Sequence, residues 1–173
     1  MKNFQKVAII GAGNVGATTA MMLAESNIAD IVLYDVAENM AKAKAIDMSN
    51  ALAAKNLNIS VKAVNNYSGI AGSDIVVVTA GFPRKPGMSR DDLLKANADI
   101  IKLAAKEIKK NAPSAIVIVV TNPLDVMTYL LYKTTGFNHN KVIGMAGVLD
   151  SARLTDFIAE KLNAKRSDIN PVV

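Results

Sequence analysis

Short apolar runs and longer amphipathic stretches take turns along most of this chain. Residues 6–10, 31–34, 75–79 and 115–120 are almost continuously apolar and rich in Val and Ile. That pattern predicts strands of a parallel sheet covered on both faces, because a strand with one wet face would alternate instead. Residues 59–63 do alternate and predict a short strand, and residues 141–146 predict another. Between them, residues 17–25, 38–52, 91–110 and 124–134 are rich in Ala, Leu, Met and Lys and predict helices, with Asn50 and Asn56 flanking the end of the second. In the third, Leu94, Ala98, Ile101, Ala105 and Ile108 form one stripe for a core, while Lys102, Lys106 and Lys110 form another for water. Residues 68–73, with Gly69 and Gly72, read as a turn or a short helix, and a last helix carries Asp150 and Arg153. Alternating strands and helices predict an α/β fold of right-handed βαβ units, a doubly wound parallel sheet.

The first strand runs directly into Gly11-Ala12-Gly13-Asn14-Val15-Gly16. Gly11 permits a tight turn, Gly13 lets backbone N–H groups approach a pyrophosphate, and Gly16 lets the next helix pack close to the strand. The helix start then aims its positive end at the phosphates. Asp35 ends the second strand about 20 residues on, where a carboxylate accepts hydrogen bonds from the adenosine ribose. An acid there repels a 2′-phosphate, and no arginine adjoins it, so the expected cofactor is NAD rather than NADP.

Chemistry is also expected where other strands end, since ligands of open α/β sheets bind outside the carboxyl ends of strands. Gly81-Phe82-Pro83-Arg84-Lys85-Pro86-Gly87-Met88-Ser89-Arg90 follows one strand and reads as a mobile cover over an anion, or as a solvated basic loop. Thr121-Asn122-Pro123 follows another; the Asn122 amide can meet a nicotinamide ribose or a substrate hydroxyl, or simply make an Asn-Pro turn. Asp150 and Arg153, three positions apart, read locally as an ion pair or a helix cap.

Composition narrows the classes further. The 173 residues suffice for one domain with a sizeable core, or one domain and the start of another. With no cysteine there is no disulfide framework or thiolate zinc site, and no metal is expected. The net charge of +5 raises nucleic-acid binding, but Lys42, Lys44, Lys55, Lys62, Lys102, Lys106, Lys109 and Lys110 are scattered without aromatic residues to stack bases. Most are assigned to solvated helix faces, where they attract an anionic cofactor or substrate. No apolar run approaches the roughly 20 residues that cross a bilayer, and residues 1–5 lead straight into the first strand, so a cytoplasmic protein with no membrane partner is expected.

Taken together, the glycine motif, Arg84-Lys85-Pro86-Gly87-Met88-Ser89-Arg90, Thr121-Asn122-Pro123 and Leu149-Asp150-Ser151-Ala152-Arg153 resemble the lactate/malate dehydrogenases, and specifically the lactate-dehydrogenase-like malate dehydrogenases of bacteria. The resemblance covers essentially the whole chain. It implies a Rossmann fold with strand order 3-2-1-4-5-6, NAD as cofactor, a homo-oligomer, and a cis bond before Pro123. For the cofactor it implies contacts from Gly11, Gly13, Asn14, Val15, Gly16, Asp35, Thr79, Ala80, Gly81, Asn97 and Asn122. For malate and oxaloacetate it implies that Arg90 polarises the substrate carbonyl, Arg153 grips the first carboxylate, and Asn122 orients substrate and nicotinamide. Arg84 sits where lactate dehydrogenases carry glutamine, and so favours a second carboxylate. Asp150 would orient a catalytic histidine.

In the family that histidine lies in a Gly-Gly-His-Gly-Asp-like motif, which this sequence does not contain; its single histidine, His139, is read as a surface-turn residue. The expectation is an amino-terminal half: an NAD-binding domain over residues 1–146, then a helix and the start of a truncated substrate domain over 147–173. Such a half would bind cofactor with little turnover and would expose apolar surface on residues 154–162, promoting self-association. An active malate dehydrogenase completed by the missing half is the alternative. A structural or nucleic-acid-binding Rossmann module is the alternative of another class.

Overall fold

A computed structural model describes residues 6–83 and 86–173, with Arg90 described by its backbone alone. The elements follow the order β1 (Lys6–Ile10), α1 (Asn14–Glu25), β2 (Asp30–Tyr34), α2 (Glu38–Ala54), β3 (Val61–Val64), β4 (Ile75–Val78), α3 (Arg90–Asn111), β5 (Ile116–Val119), α4 (Leu124–Thr135), β6 (Val142–Gly144) and α5 (Val148–Leu162). Short 3-10 turns occupy Tyr67–Ile70, His139–Lys141 and Arg166–Asp168. The strands form one sheet in the order β3-β2-β1-β4-β5-β6, and every neighbouring pair is parallel. The order reverses between β1 and β4, as in a doubly wound Rossmann sheet.

The continuous apolar strands are explained by two separate cores. Ala8 and Ile10 of β1 and Val76 and Val78 of β4 pack on one face with α3 and α4, whereas Val7, Ile9 and Val77 pack on the other with α1 and α2. Consecutive residues point to opposite faces, so burial on both requires an apolar residue at every position. Ile9 and Ile10 are fully buried, each worth about 1.5–3 kcal/mol relative to exposure. In α3, Ile101, Ala105 and Ile108 are buried and Lys102, Lys106 and Lys110 are exposed, matching the two stripes.

Boundaries differ where side chains compete with the expected pattern. The first helix begins at Asn14 rather than residue 17, because the last residues of the glycine motif form its first turn. The third strand starts at Val61 rather than residue 59, since the Asp30 carboxylate takes the Ser60 N–H at 2.9 Å. Helix α2 runs through Asn50 to Ala54, and Asn56 beyond it adopts a positive φ of 55°, a conformation asparagine tolerates at helix ends. Helix α5 buries only Ala159 among its described residues and leaves Phe157 66% and Leu162 68% exposed. No helix among the described residues is long and apolar enough to cross a membrane.

Candidate functional site

The three glycines have separate structural roles. Gly11 has φ 103°, and a Cβ there would lie 2.7 Å from the Ala80 nitrogen. A Cβ on Gly16 would collide with the Gly11 carbonyl oxygen and come within 2.7 Å of Thr79 Oγ1. The atoms met belong to Gly11, Thr79 and Ala80, just past the ends of β1 and β4, so these glycines let the turn and the start of α1 seat against those strand ends. Thr79 Oγ1 itself donates to the Gly11 carbonyl at 3.0 Å, fixing the turn from the β4 side. Around Gly13, by contrast, a Cβ would meet nothing within 4 Å. Gly13 is the N-cap of α1, no side chain caps that end, and its first turn holds no acid. Exposed backbone amides at a helix start with space before them are suited to an anion.

Asp35 lies at the end of β2, half-buried, and its carboxylate bridges two segments. Oδ2 accepts the Ala12 N–H at 2.6 Å and Oδ1 accepts the Ala37 N–H at 2.9 Å. A carboxylate has about four acceptor sites, so these two bonds leave capacity for hydroxyl donors. Lys44 of α2 reaches the same loop and donates to the Ala12 carbonyl at 2.6 Å. Most of the scattered lysines are expected on solvated faces, and Lys44 is one that is not: it is half-buried. The buried spacing of Ala41, Ala45, Met48 and Leu52 puts position 44 at the edge of an apolar stripe, which is the signal that distinguishes it from the other lysines.

Beyond β4 and β5 the backbone is held from below. Asn97 of α3 is only 1% exposed. Its Oδ1 accepts the Phe82 N–H at 2.8 Å and its Nδ2 donates to the Asn122 carbonyl at 2.7 Å. Asn97 therefore supports the loops after β4 and β5, and its amide is already occupied by backbone. Thr121 Oγ1 adds a bond to the Ala80 carbonyl at 2.8 Å. A Cβ on Gly81 would come within 2.6 Å of Thr121 Cγ2, so the two loops touch. The Asn122–Pro123 peptide is cis, as the resemblance implied.

A groove of about 940 Å³ opens beside the β5 loop, lined among others by Asn14, Val15, Asn122, Met145, Asp150 and Arg153. The helix start, the β5 loop and α5 thus contribute to one cleft. Arg153 Nη1 donates to Asp150 Oδ1 at 3.1 Å, and both side chains are about 60% exposed. An exposed pair of this kind contributes only about 0.2–1 kcal/mol, so either partner can be drawn away at little cost. Arg84 lies outside the described residues, as does the side chain of Arg90. At the start of α3, Ser89 and Asp92 form a capping box, and hydrogen bonds from Ser89 hold the Asp92 carboxyl below its ordinary range. His139 is exposed on its turn and faces a different depression, shared with Thr128, Tyr129 and Tyr132.

Residues 5–144 match the model of the lactate/malate dehydrogenase NAD-binding domain. A malate dehydrogenase of Trichormus variabilis is 54% identical over 168 residues, covering 97% of this chain and 52% of the relative. The solved malate dehydrogenase of Cryptosporidium parvum superposes with a TM-score of 0.94 at 40% identity, over 98% of this chain and 54% of the other. The lactate dehydrogenase of the same organism, solved with lactic acid and nicotinamide adenine dinucleotide, gives a TM-score of 0.92 at 42% identity, over all of this chain and 55% of the other. The chain thus spans about half the length of the relatives it matches. A Rossmann sheet in the family's strand order, with its glycine cradle and terminal carboxylate, joins these matches in one conclusion: the chain belongs to the lactate/malate dehydrogenase family and carries its NAD-binding domain.

Proposed function

We propose that this chain is the cofactor-binding half of a malate dehydrogenase, interconverting malate and oxaloacetate with NAD(H) when the substrate side is complete. The carrying observation is the glycine cradle: Gly11 and Gly16 admit no Cβ, while Gly13 faces open space at an uncapped helix start. That set fits a dinucleotide pyrophosphate, held by the backbone of Gly13, Asn14 and Val15. Asp35 takes the ribose hydroxyls and disfavours a 2′-phosphate. Thr79, Ala80 and Gly81 form the wall beside the cofactor, with Asn97 supporting it from beneath. Bound NAD supplies the hydride acceptor for oxidation of the substrate alcohol.

The chain's own residues position the substrate. Arg153, exchanging its exposed bond with Asp150, grips a carboxylate with a bidentate fork that lysine does not offer. Asn122 orients the substrate against the nicotinamide. Arg90 polarises the carbonyl, and Arg84 supplies the second cation that separates a dicarboxylate from lactate. The proton must go to a base that Asp150 orients, and His139, facing another depression, does not serve. These 173 residues alone are therefore expected to bind NAD(H) while turning over little malate, since loss of a general base costs about 10²- to 10⁴-fold.

Calorimetric titration with NADH, repeated with NADPH, tests the reading. Saturable binding with a clear NADH preference supports it; no binding by folded protein overturns it. For the substrate, Arg84→Gln in a full-length relative carrying this loop should shift preference from oxaloacetate toward pyruvate, and an unchanged preference removes that part.

A further inference from the structure

We infer that Lys44 is a positioning residue for the cofactor: by holding the Ala12 carbonyl it turns the Gly13 N–H toward the space the pyrophosphate would fill. The inference deepens the NAD-binding reading and rests on it. Ala12 is fully buried, yet its N–H goes to the Asp35 carboxylate at 2.6 Å and its carbonyl to the Lys44 ammonium at 2.6 Å. A buried neutral residue in the middle of the glycine turn is thus held on both sides by charged groups, one just past β2 and one on α2. Hydrogen bonds to ionised partners are the strong ones, roughly twice as strong as neutral pairs.

The consequence follows from peptide geometry. The Ala12 carbonyl and the Gly13 N–H belong to one planar trans unit, in which C=O and N–H point in opposite directions. Fixing the oxygen on Lys44 therefore fixes the N–H away from α2. Gly13 is exposed and nothing lies within 4 Å of a Cβ built there, so the space beside this peptide is open. Glycine is also the residue whose flanking torsions are least restrained, so a clamp on its peptide plane matters most there. Lys44 brings a positive charge to the same loop, and for that reason orientation has to be separated experimentally from simple attraction.

The test is Lys44→Met in this chain, with Lys42→Met, an exposed lysine of the same helix, as control. NADH and ADP-ribose affinities are measured by calorimetry, and the Gly13 amide is followed by ¹H–¹⁵N spectroscopy without ligand. The expected result is a Kd raised about ten- to a hundredfold for both ligands, the range produced by losing one charge-assisted hydrogen bond, with Lys42→Met unchanged. The Gly13 resonance should move in ligand-free Lys44→Met. The loss should persist at about 0.5 M salt, where the screening length is about 4 Å, because orientation is not screened. The milder Lys44→Gln makes the same comparison and carries it if Lys44→Met does not fold.

Wild type that binds NADH together with a Lys44 variant that binds equally well overturns this inference alone. A deficit that vanishes in salt also overturns it, reducing Lys44 to diffuse attraction, as does a fall in Tm without any change in Kd. Wild type that is folded but binds no NADH overturns the cofactor reading itself, and the inference with it.

Discussion

Replacing the three motif glycines by alanine, one at a time, should separate folding from cofactor binding. At Gly16 the new methyl would overlap the Gly11 carbonyl oxygen and approach Thr79 Oγ1 to 2.7 Å, so α1 must lift off the sheet that buries Ala20 and Ala24. Overpacking costs about 1–3 kcal/mol, and backbone on one side places this case at the upper end. Better helix propensity returns about 0.8–1 kcal/mol. The net loss of roughly 2 kcal/mol lowers Tm by about 4–8 °C for a chain of this size. At Gly11 the φ of 103° and the Ala80 nitrogen at 2.7 Å act together. A left-handed alanine costs about 1–2 kcal/mol and the contact about 1–3 more, for a loss of roughly 2–5 kcal/mol. At Gly13, φ −64° and ψ −169° suit any residue and the space is open, so only a weaker N-cap is lost. That amounts to about 1 kcal/mol at most, or a Tm change within about 4 °C. The Gly13→Ala methyl projects into the space assigned to the pyrophosphate, and NADH affinity should fall at least about tenfold, or about 1.4 kcal/mol. Thermal melts followed by circular dichroism and NADH titrations of each variant give both axes. The reasoning is refuted if Gly13→Ala melts as low as Gly16→Ala, or if it folds normally and binds NADH like the wild type.

Other outcomes follow from single contacts. Asp35→Ser removes the acceptor of the Ala12 and Ala37 amides, weakening NADH binding while easing repulsion of a 2′-phosphate. Paired titrations should show the NADH-over-NADPH preference falling about tenfold or more. Asn97→Leu leaves the part-buried Phe82 N–H and Asn122 carbonyl without their partner and should cost about 1–3 kcal/mol in denaturant unfolding; a loss below about 0.5 kcal/mol would count against the bracing role. The Asp92 carboxyl is held below its ordinary value of 3.8 by Ser89, so the folded form is the stronger acid. Its contribution is present above the unfolded value and is lost as pH falls through the folded value, so amide protection at the start of α3 should weaken below about pH 3.8 and Asp92→Asn should abolish that step. The exposed Phe157 and Leu162 of α5 should make the chain self-associate, and Phe157→Lys should shift light scattering toward monomer.

How far the sequence revealed this protein depends on how local each signal was. Strands buried on both faces show themselves as unbroken Val and Ile runs, and the glycine turn between a strand and a helix has a steric logic that can be read without neighbours. The β3 boundary depended on Asp30 capturing Ser60, residues 30 positions apart, and no local pattern contains that. Asn97 looks like any polar residue of a helix until the loops 15 and 25 positions away close on its amide. Lys44 was hidden by its type, because a lysine among lysines is most simply solvated; only its place beside Ala41, Ala45 and Met48 marked it. The Asp150–Arg153 pair was legible as a local contact, whereas the substrate role proposed for it came from the resemblance alone.

The Asn97 brace has an evolutionary consequence. One buried amide joins the segments after β4 and β5 from underneath, so the arrangement of that floor does not depend on what the upper surface carries. Residues facing the cleft, such as Asn14, Met145 and Arg153, can then drift under selection for a new ligand without each trial disturbing the foundation. A scaffold built in this way separates inheritance of the cofactor platform from innovation in what binds above it.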